Sequence, residues 1–147
     1  MIRRITPADK AEYLAMVHDF YHSPAVLEPV PDEYFEKTFE ELMRSDVYAD
    51  AYIFEQNGVT VGYALLAKSF SQEAGGLCVW IEELYLKPEF RSAGLGGEFL
   101  EYVKQAVPAA RYRLETEPEN ERAAQLYRRH GYREMGYVSY YLEDFSD

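Results

Sequence analysis

The sequence predicts a mixed α/β fold, a sheet with helices packed on both of its faces. Three observations carry that expectation. Strand-like runs and helical apolar periodicity follow one another in the order β-α-α-β-β-β-α-β-α-β. Asn57-Gly58, a strong hairpin signal, separates two strand-like runs. A glycine-bearing turn at residues 91–97 joins an apolar strand to a helix. The length of 147 residues suits one domain, residues 1–147, and a 48% hydrophobic content supplies its core.

Ile2 to Ile5 reads as a short strand, and Thr6-Pro7 as a helix start with proline at the first helical position. Tyr13, Leu14, Val17, Phe20 and Tyr21 then share one helix face. Three prolines make Ser23 to Pro31 a loop. From Asp32 a second helix turns Phe35, Thr38, Phe39 and Leu42 inward and keeps Glu33, Glu36, Glu40 and Glu41 mostly outward. Ala51 to Glu55 and Val59 to Lys68 form the hairpin; the second strand is nearly all apolar, as a strand buried on both faces requires. Leu77 to Leu86 is a further strand, stopped by Pro88. A helix follows over about Gly96 to Gln105, then a strand at Arg111 to Glu115, then a helix from Asn120 to His130 closed by Gly131. Tyr132 to Leu142 is expected to add one or two final strands.

The net charge of −11 argues against a nucleic-acid partner, because phosphate contacts need a basic footprint. Residues 1–86 carry 6 basic and 15 acidic groups, whereas residues 87–133 carry 9 basic and 7 acidic. The second stretch therefore tolerates an anion where the first repels one. No run of 18 apolar residues predicts a membrane span, and the N-terminus lacks the apolar segment of a signal peptide. Cys78, the one cysteine, excludes a disulfide framework and reads as a small core residue. A cytoplasmic location is expected. His18 and His22 have metal-ligand spacing on a helix but no third ligand nearby, so no metal is expected.

The turn Arg91-Ser92-Ala93-Gly94-Leu95-Gly96-Gly97 combines close backbone approach with the free N–H groups and positive dipole end of the following helix. That suits a diphosphate. Phe99 stands where a dinucleotide fingerprint needs glycine, and no Gly-Lys-Ser/Thr occurs, so neither of those phosphate motifs is present. A tight turn without a ligand is the competing reading of the glycines alone.

Arg91-x-x-Gly94-x-Gly96 resembles the acetyl-CoA pyrophosphate loop of the GNAT superfamily of N-acetyltransferases. The preceding run, Trp80 to Phe90, resembles that family's fourth strand. Asn120-x-x-Ala123-x-x-Leu126-Tyr127-x-x-x-Gly131-Tyr132 resembles its second motif. The resemblance spans the chain in element order and is most specific over about residues 80–132. It implies a GNAT domain with a mostly antiparallel, twisted sheet, and acetyl-CoA as cosubstrate. One departure stands out: Ser92-Ala93 replaces the Gly-Lys of many members, so the lysine's phosphate contact is missing.

Acetyl transfer to an amine requires removal of a proton, since an ammonium of pKa ~10.4 is unprotonated only ~0.04% of the time at pH 7. By the resemblance Glu82 is the general base, favoured over Glu83; strand neighbours point to opposite faces, so both can reach one site only if a bulge intervenes. Tyr127 would be the general acid for the CoA thiolate, and Asn120, seven residues earlier on the same helix face, would meet the pantetheine arm. Backbone groups of Leu84 and Leu86 would pair with the pantetheine amides, an N–H between them polarising the thioester. Arg91, Ser92, Ala93, Gly94, Leu95, Gly96 and Gly97 would hold the diphosphate. The expected reaction is direct transfer in a ternary complex to a cationic small amine. Protein lysines or N-termini remain alternative acceptors, and a non-catalytic CoA-binding module is the alternative of another class. The aromatic tail (Tyr137, Tyr140, Tyr141, Phe145) could support a homodimer.

Overall fold

A computed structural model describes residues 1–143. Five strands, β1 (Ile2–Arg4), β2 (Ala49–Gln56), β3 (Val59–Ser71), β4 (Gly76–Leu86) and β5 (Arg111–Leu114), lie in the order β1-β2-β3-β4-β5. All neighbouring pairs are antiparallel except β4–β5, which is parallel. Helices α1 (Lys10–Tyr21) and α2 (Glu33–Arg44) come before β2, α3 (Leu95–Ala106) links β4 to β5, and α4 (Glu121–Arg129) follows β5.

The two-residue period of β2 sorts the core into two layers. Ala51 and Ile53 face Tyr13, Met16 and Val17 of α1 and Phe35, Phe39 and Leu42 of α2. Tyr52 and Phe54 face the other way, onto Leu95, Phe99, Leu100 and Val103 of α3. Helices therefore cover both faces, as the sequence predicts. Each fully buried large apolar side chain contributes about 1.5–3 kcal/mol relative to exposure. The hairpin forms at Asn57-Gly58, both residues having positive φ (52° and 77°), which matches the twist of the flanking strands.

At the N-terminus, the Asp9 carboxylate accepts from the Thr6 N–H at 2.8 Å and from the Arg3 guanidinium at 2.8 and 2.9 Å. This arrangement turns the chain from β1 through a 3-10 turn (Pro7–Asp9) into α1. Cys78 is buried, in keeping with a core role.

One expectation fails. Residues 132–142 form no strand. Their alternation is strand-like locally, but a strand also needs a partner edge and a face to bury. Tyr137, Val138, Tyr140, Tyr141 and Leu142 are 72–93% exposed, and the Tyr141 hydroxyl instead reaches Glu28 at 3.1 Å. Phe145 lies outside the described residues. Among the described residues no helix is long and apolar enough to cross a membrane.

Candidate active site

The pairing of β3 with β4 shifts register in mid-strand. Leu65 faces Glu83 while Leu66 faces Ile81, so Glu82 is an extra, unpaired residue. The bulge reverses the faces beyond it. Val79 and Ile81 belong to the α3 layer, and in a regular strand Glu83 would join them. Instead Glu83 and Tyr85 turn towards the α1–α2 layer, and Leu84 and Leu86 pack against the α3 layer. Both glutamates are thus brought to one place from adjacent positions.

The parallel pairing of β4 with β5 stops at the same level, Ile81 opposite Leu114. Beyond it β4 keeps β3 on one edge only. The Lys87 N–H donates to the Val61 carbonyl at 2.9 Å, so by the two-residue period the backbone groups of Leu84 and Leu86 point away from β3. The Leu86 carbonyl bears this out by accepting from Arg91 Nε at 2.8 Å. That edge of β4 therefore presents peptide groups with no strand beside them, and Glu82 marks its inner end.

The two carboxylates differ. Glu83 is buried, and it accepts from Tyr63 Oη at 2.7 Å and from Tyr21 Oη in a short hydrogen bond. Burial raises its pKa, and the two hydroxyl donors pull it partly back. The same burial and the neighbouring Glu83 charge hold Tyr63, Tyr21 and Tyr13 in the neutral form, their pKa values raised. Glu82 is exposed on the bulge, yet partial desolvation, with the charge of Glu115 past the end of β5, also raises its pKa. A raised carboxyl is a better proton acceptor once ionised.

Past the end of β4 the chain turns into the start of α3. Gly94 is its N-cap residue at φ 86°, a left-handed conformation that a side chain would strain. The first-turn N–H groups of Leu95, Gly96 and Gly97 lack intrahelical partners and present the positive end of the helix dipole. Ser92 and Ala93 are exposed on the loop, and Ser92 also has positive φ (69°). Arg91 folds back on β4, its guanidinium 5.8 Å from the Tyr85 ring centroid.

The remaining wall is α4. A Cβ placed on the buried Gly96 would meet Leu126 at 3.6 Å and Leu84 at 3.9 Å, so α3, α4 and β4 converge there. Asn120 caps α4, its Oδ1 accepting the Ala123 N–H at 3.1 Å. Tyr127 is partly buried beside Tyr132, and desolvation, then the Glu117 charge, raises its pKa. It therefore carries its proton throughout the neutral range. No hydrogen bond joins Tyr127 to Glu82 among the described residues. His18 and His22 are exposed on α1 and stack on each other at 4.1 Å.

Two features escaped the sequence reading. Tyr63 lies inside the nearly all-apolar run of residues 59–68, and Tyr21 is one of several residues on the apolar face of α1. Arg122, inside the α4 motif, reaches the loop to donate to Ser92 Oγ; nothing in its position along the chain signals that contact.

Residues 13–132 match the family model described as the acetyltransferase (GNAT) family. The chain belongs to the GNAT family. It is 33% identical over 94 residues to the uncharacterized N-acetyltransferase YhfO of Bacillus subtilis (strain 168), a match covering 61% of this chain and 63% of that protein. It is 25% identical over 151 aligned positions to a thialysine N-epsilon-acetyltransferase of Sus scrofa, covering 92% of this chain and 85% of that one. Among solved structures, AAC(6')-Iy in complex with the bisubstrate analogue CoA-S-monomethyl-acetylneamine superposes with a TM-score of 0.79 at 18% identity, over 98% of this chain and 97% of that chain. That likeness establishes a GNAT fold. The family assignment makes the chain an acetyltransferase, an enzyme class whose acyl donor is acetyl-CoA.

Proposed function

We propose that the protein moves the acetyl group of acetyl-CoA directly to a primary amine in a ternary complex, and that the acceptor is a small cationic amine. The separation of β4 from β5 at the Glu82 bulge carries this reading. It leaves the outward backbone groups of Leu84 and Leu86 between an anion-binding helix start and a carboxylate. The diphosphate would lie on the Arg91–Gly97 turn, and the pantetheine would extend β4 as an added strand. Asn120, its Oδ1 committed to the α4 cap, would offer its amide N–H groups to the pantetheine arm.

Glu82, directly or through a water, takes a proton from the acceptor ammonium. The freed amine attacks the thioester carbonyl carbon, and a β4 backbone N–H stabilises the oxyanion. The C–N bond forms and the C–S bond breaks as the Tyr127 hydroxyl protonates the departing CoA sulfur; the second proton of the attacking nitrogen, shed as the amide forms, passes through water to the Tyr127 phenolate, and Glu82 releases its own proton to solvent. Availability supports Glu82 as base: Glu83 already accepts two tyrosine hydroxyls. Acceptor charge is supported by the carboxylates of Glu82, Glu83 and Glu115 around the bulge and by the acidic first 86 residues. The relatives named for thialysine and for aminoglycosides also fit amine acceptors. A homodimer would use the exposed Tyr137, Tyr140 and Tyr141, and size-exclusion chromatography with light scattering tests it.

The deciding experiment follows free CoA release with acetyl-CoA and a panel of polyamines, lysine analogues, aminoglycosides and neutral amines, alongside thermal melts. Acetyl-CoA at a hundredfold excess over its Kd stabilises the fold by about 2.7 kcal/mol. Melts unmoved by millimolar acetyl-CoA, with no CoA released on any amine, would overturn the reading.

A further inference from the structure

We propose that Arg122 is a phosphate-binding residue of the donor site, a second cation that α4 delivers to the loop beside Arg91. The inference rests on the acetyl-CoA reading above and adds a residue to it. Lys87, Arg91 and Arg122 stand near the Arg91–Gly94 loop, and they are held differently. Lys87 pairs with Glu12 at 3.3 Å. Arg91 spends its Nε on the Leu86 carbonyl and lies over Tyr85, where it braces the turn against β4. Ser92 and Ala93 bring no charge.

Arg122 is different. It is the second residue of α4, is exposed, and has no carboxylate partner among the described residues. Its Nη2 donates to Ser92 Oγ across 30 residues of sequence. Ser92 itself has a positive φ of 69°. A guanidinium has five N–H donors in a planar fork, and a single bond to a neutral hydroxyl leaves most of them free. The guanidinium is therefore pinned at the loop that leads into the α3 N-terminus, with donors left for a phosphate. Fixed helix N–H groups and a charged fork would grip one anion from two sides, the bidentate geometry for which arginine outperforms lysine. The ligand class is the phosphate-bearing half of the acyl donor: its diphosphate or its ribose 3'-phosphate.

The test is calorimetric titration of CoA and of 3'-dephospho-CoA into the unaltered protein, Arg122→Ala, Arg122→Lys and a control, Arg128→Ala. Arg128 is an exposed arginine of the same helix, paired with Glu121 at 3.1 Å, and it controls for loss of one positive charge. Arg122→Ala should weaken CoA roughly 10- to 100-fold, the range for a charged hydrogen-bonded contact, with its melting temperature unchanged. Arg122→Lys should recover part of the loss, and Arg128→Ala should show none. An equal loss with dephospho-CoA assigns the contact to the diphosphate; a loss confined to CoA assigns it to the 3'-phosphate. The gap between the unaltered protein and Arg122→Ala should narrow as salt rises, because screening weakens an ionic contact.

Unchanged CoA affinity in Arg122→Ala would overturn the proposal. So would a salt-independent loss that lysine fails to recover, since it would mark Arg122 as a strut for Ser92. Either result leaves the acetyl-CoA reading standing, whereas an unaltered protein that binds neither nucleotide takes both readings down.

Discussion

The two sides of the cleft are built on different principles. The proposed donor side, from Leu84 through α3 to α4, is made of backbone: outward-pointing peptide groups of β4, the orphan N–H groups of α3 and a glycine in the left-handed region. The proposed acceptor side is made of side chains: Glu83 held by Tyr21 and Tyr63, with Tyr13 stacked edge-on to Tyr63 at 5.4 Å. Backbone recognition tolerates sequence change wherever the dihedrals survive, which suits a constant cosubstrate. Recognition by side chains changes with each substitution, which suits a variable acceptor. The bulge at Glu82 joins the two sides. Variants can therefore be chosen to strike the chemistry, one wall, or only the field of the other.

The largest effect should come from the chemical step. Tyr127→Phe removes one hydroxyl and little volume, and should lower kcat roughly 10²- to 10⁴-fold while acetyl-CoA affinity changes little. Glu82→Gln should cut kcat/KM by a similar factor at low pH, with the loss shrinking as pH approaches the amine's own pKa, where the acceptor sheds its proton unaided. Steady-state kinetics across pH, with direct titration of acetyl-CoA, measures both. A folded Tyr127→Phe protein with unaltered turnover would remove that tyrosine from the mechanism and leave water as the proton donor.

That asymmetry of construction also governs what the sequence reveals. The glycine turn, the α4 motif and the Asn57-Gly58 hairpin are local, so each can be read from a few neighbouring residues. The Glu83 clamp joins residues 62 and 20 positions apart, and its formation depends on a register shift that no residue at the bulge announces. Arg122 and Ser92 meet only because α4 lies across the start of α3. The segment 132–142 fails in the opposite sense: its local alternation is sound, but the strand depends on a partner edge, which is a tertiary property.

The clamp should yield an intermediate effect, on stability and with a definite pH sense. Tyr63→Phe removes one of the two donors to a buried carboxylate and should destabilise the protein by roughly 1.5–3 kcal/mol at neutral pH. The surviving carboxyl, already raised by burial, rises further without that donor. A raised folded-state pKa means stability present at low pH and lost as pH climbs through that value, so the deficit should shrink on acidification as Glu83 protonates. Denaturant melts at several pH values measure this. A deficit constant with pH would mean that lost packing, not the ionised Glu83, carries the cost.

The smallest effect should discriminate between the two sides most cleanly, because it leaves every residue in place. Residues 1–86, which supply most of the proposed acceptor side, carry a net −9, whereas residues 87–133 carry +2. A cationic acceptor should therefore be drawn to its wall by charges of opposite sign, and salt should screen that attraction over a Debye length of about 8 Å at 0.15 M and about 3 Å at 1 M. Exposed pairs contribute roughly 0.2–1 kcal/mol, so the KM for a cationic amine should rise roughly 1.5- to 5-fold across that range. A neutral amine of similar size should hold its KM constant. Acetyl-CoA, an anion on the opposite wall, affects both reactions equally and is held saturating, so the ratio of the two acceptor KM values isolates the acceptor side. A ratio that stays fixed as salt increases would detach the acidic half of the chain from acceptor choice and leave shape, set by the tyrosines around Glu83, as the selecting property.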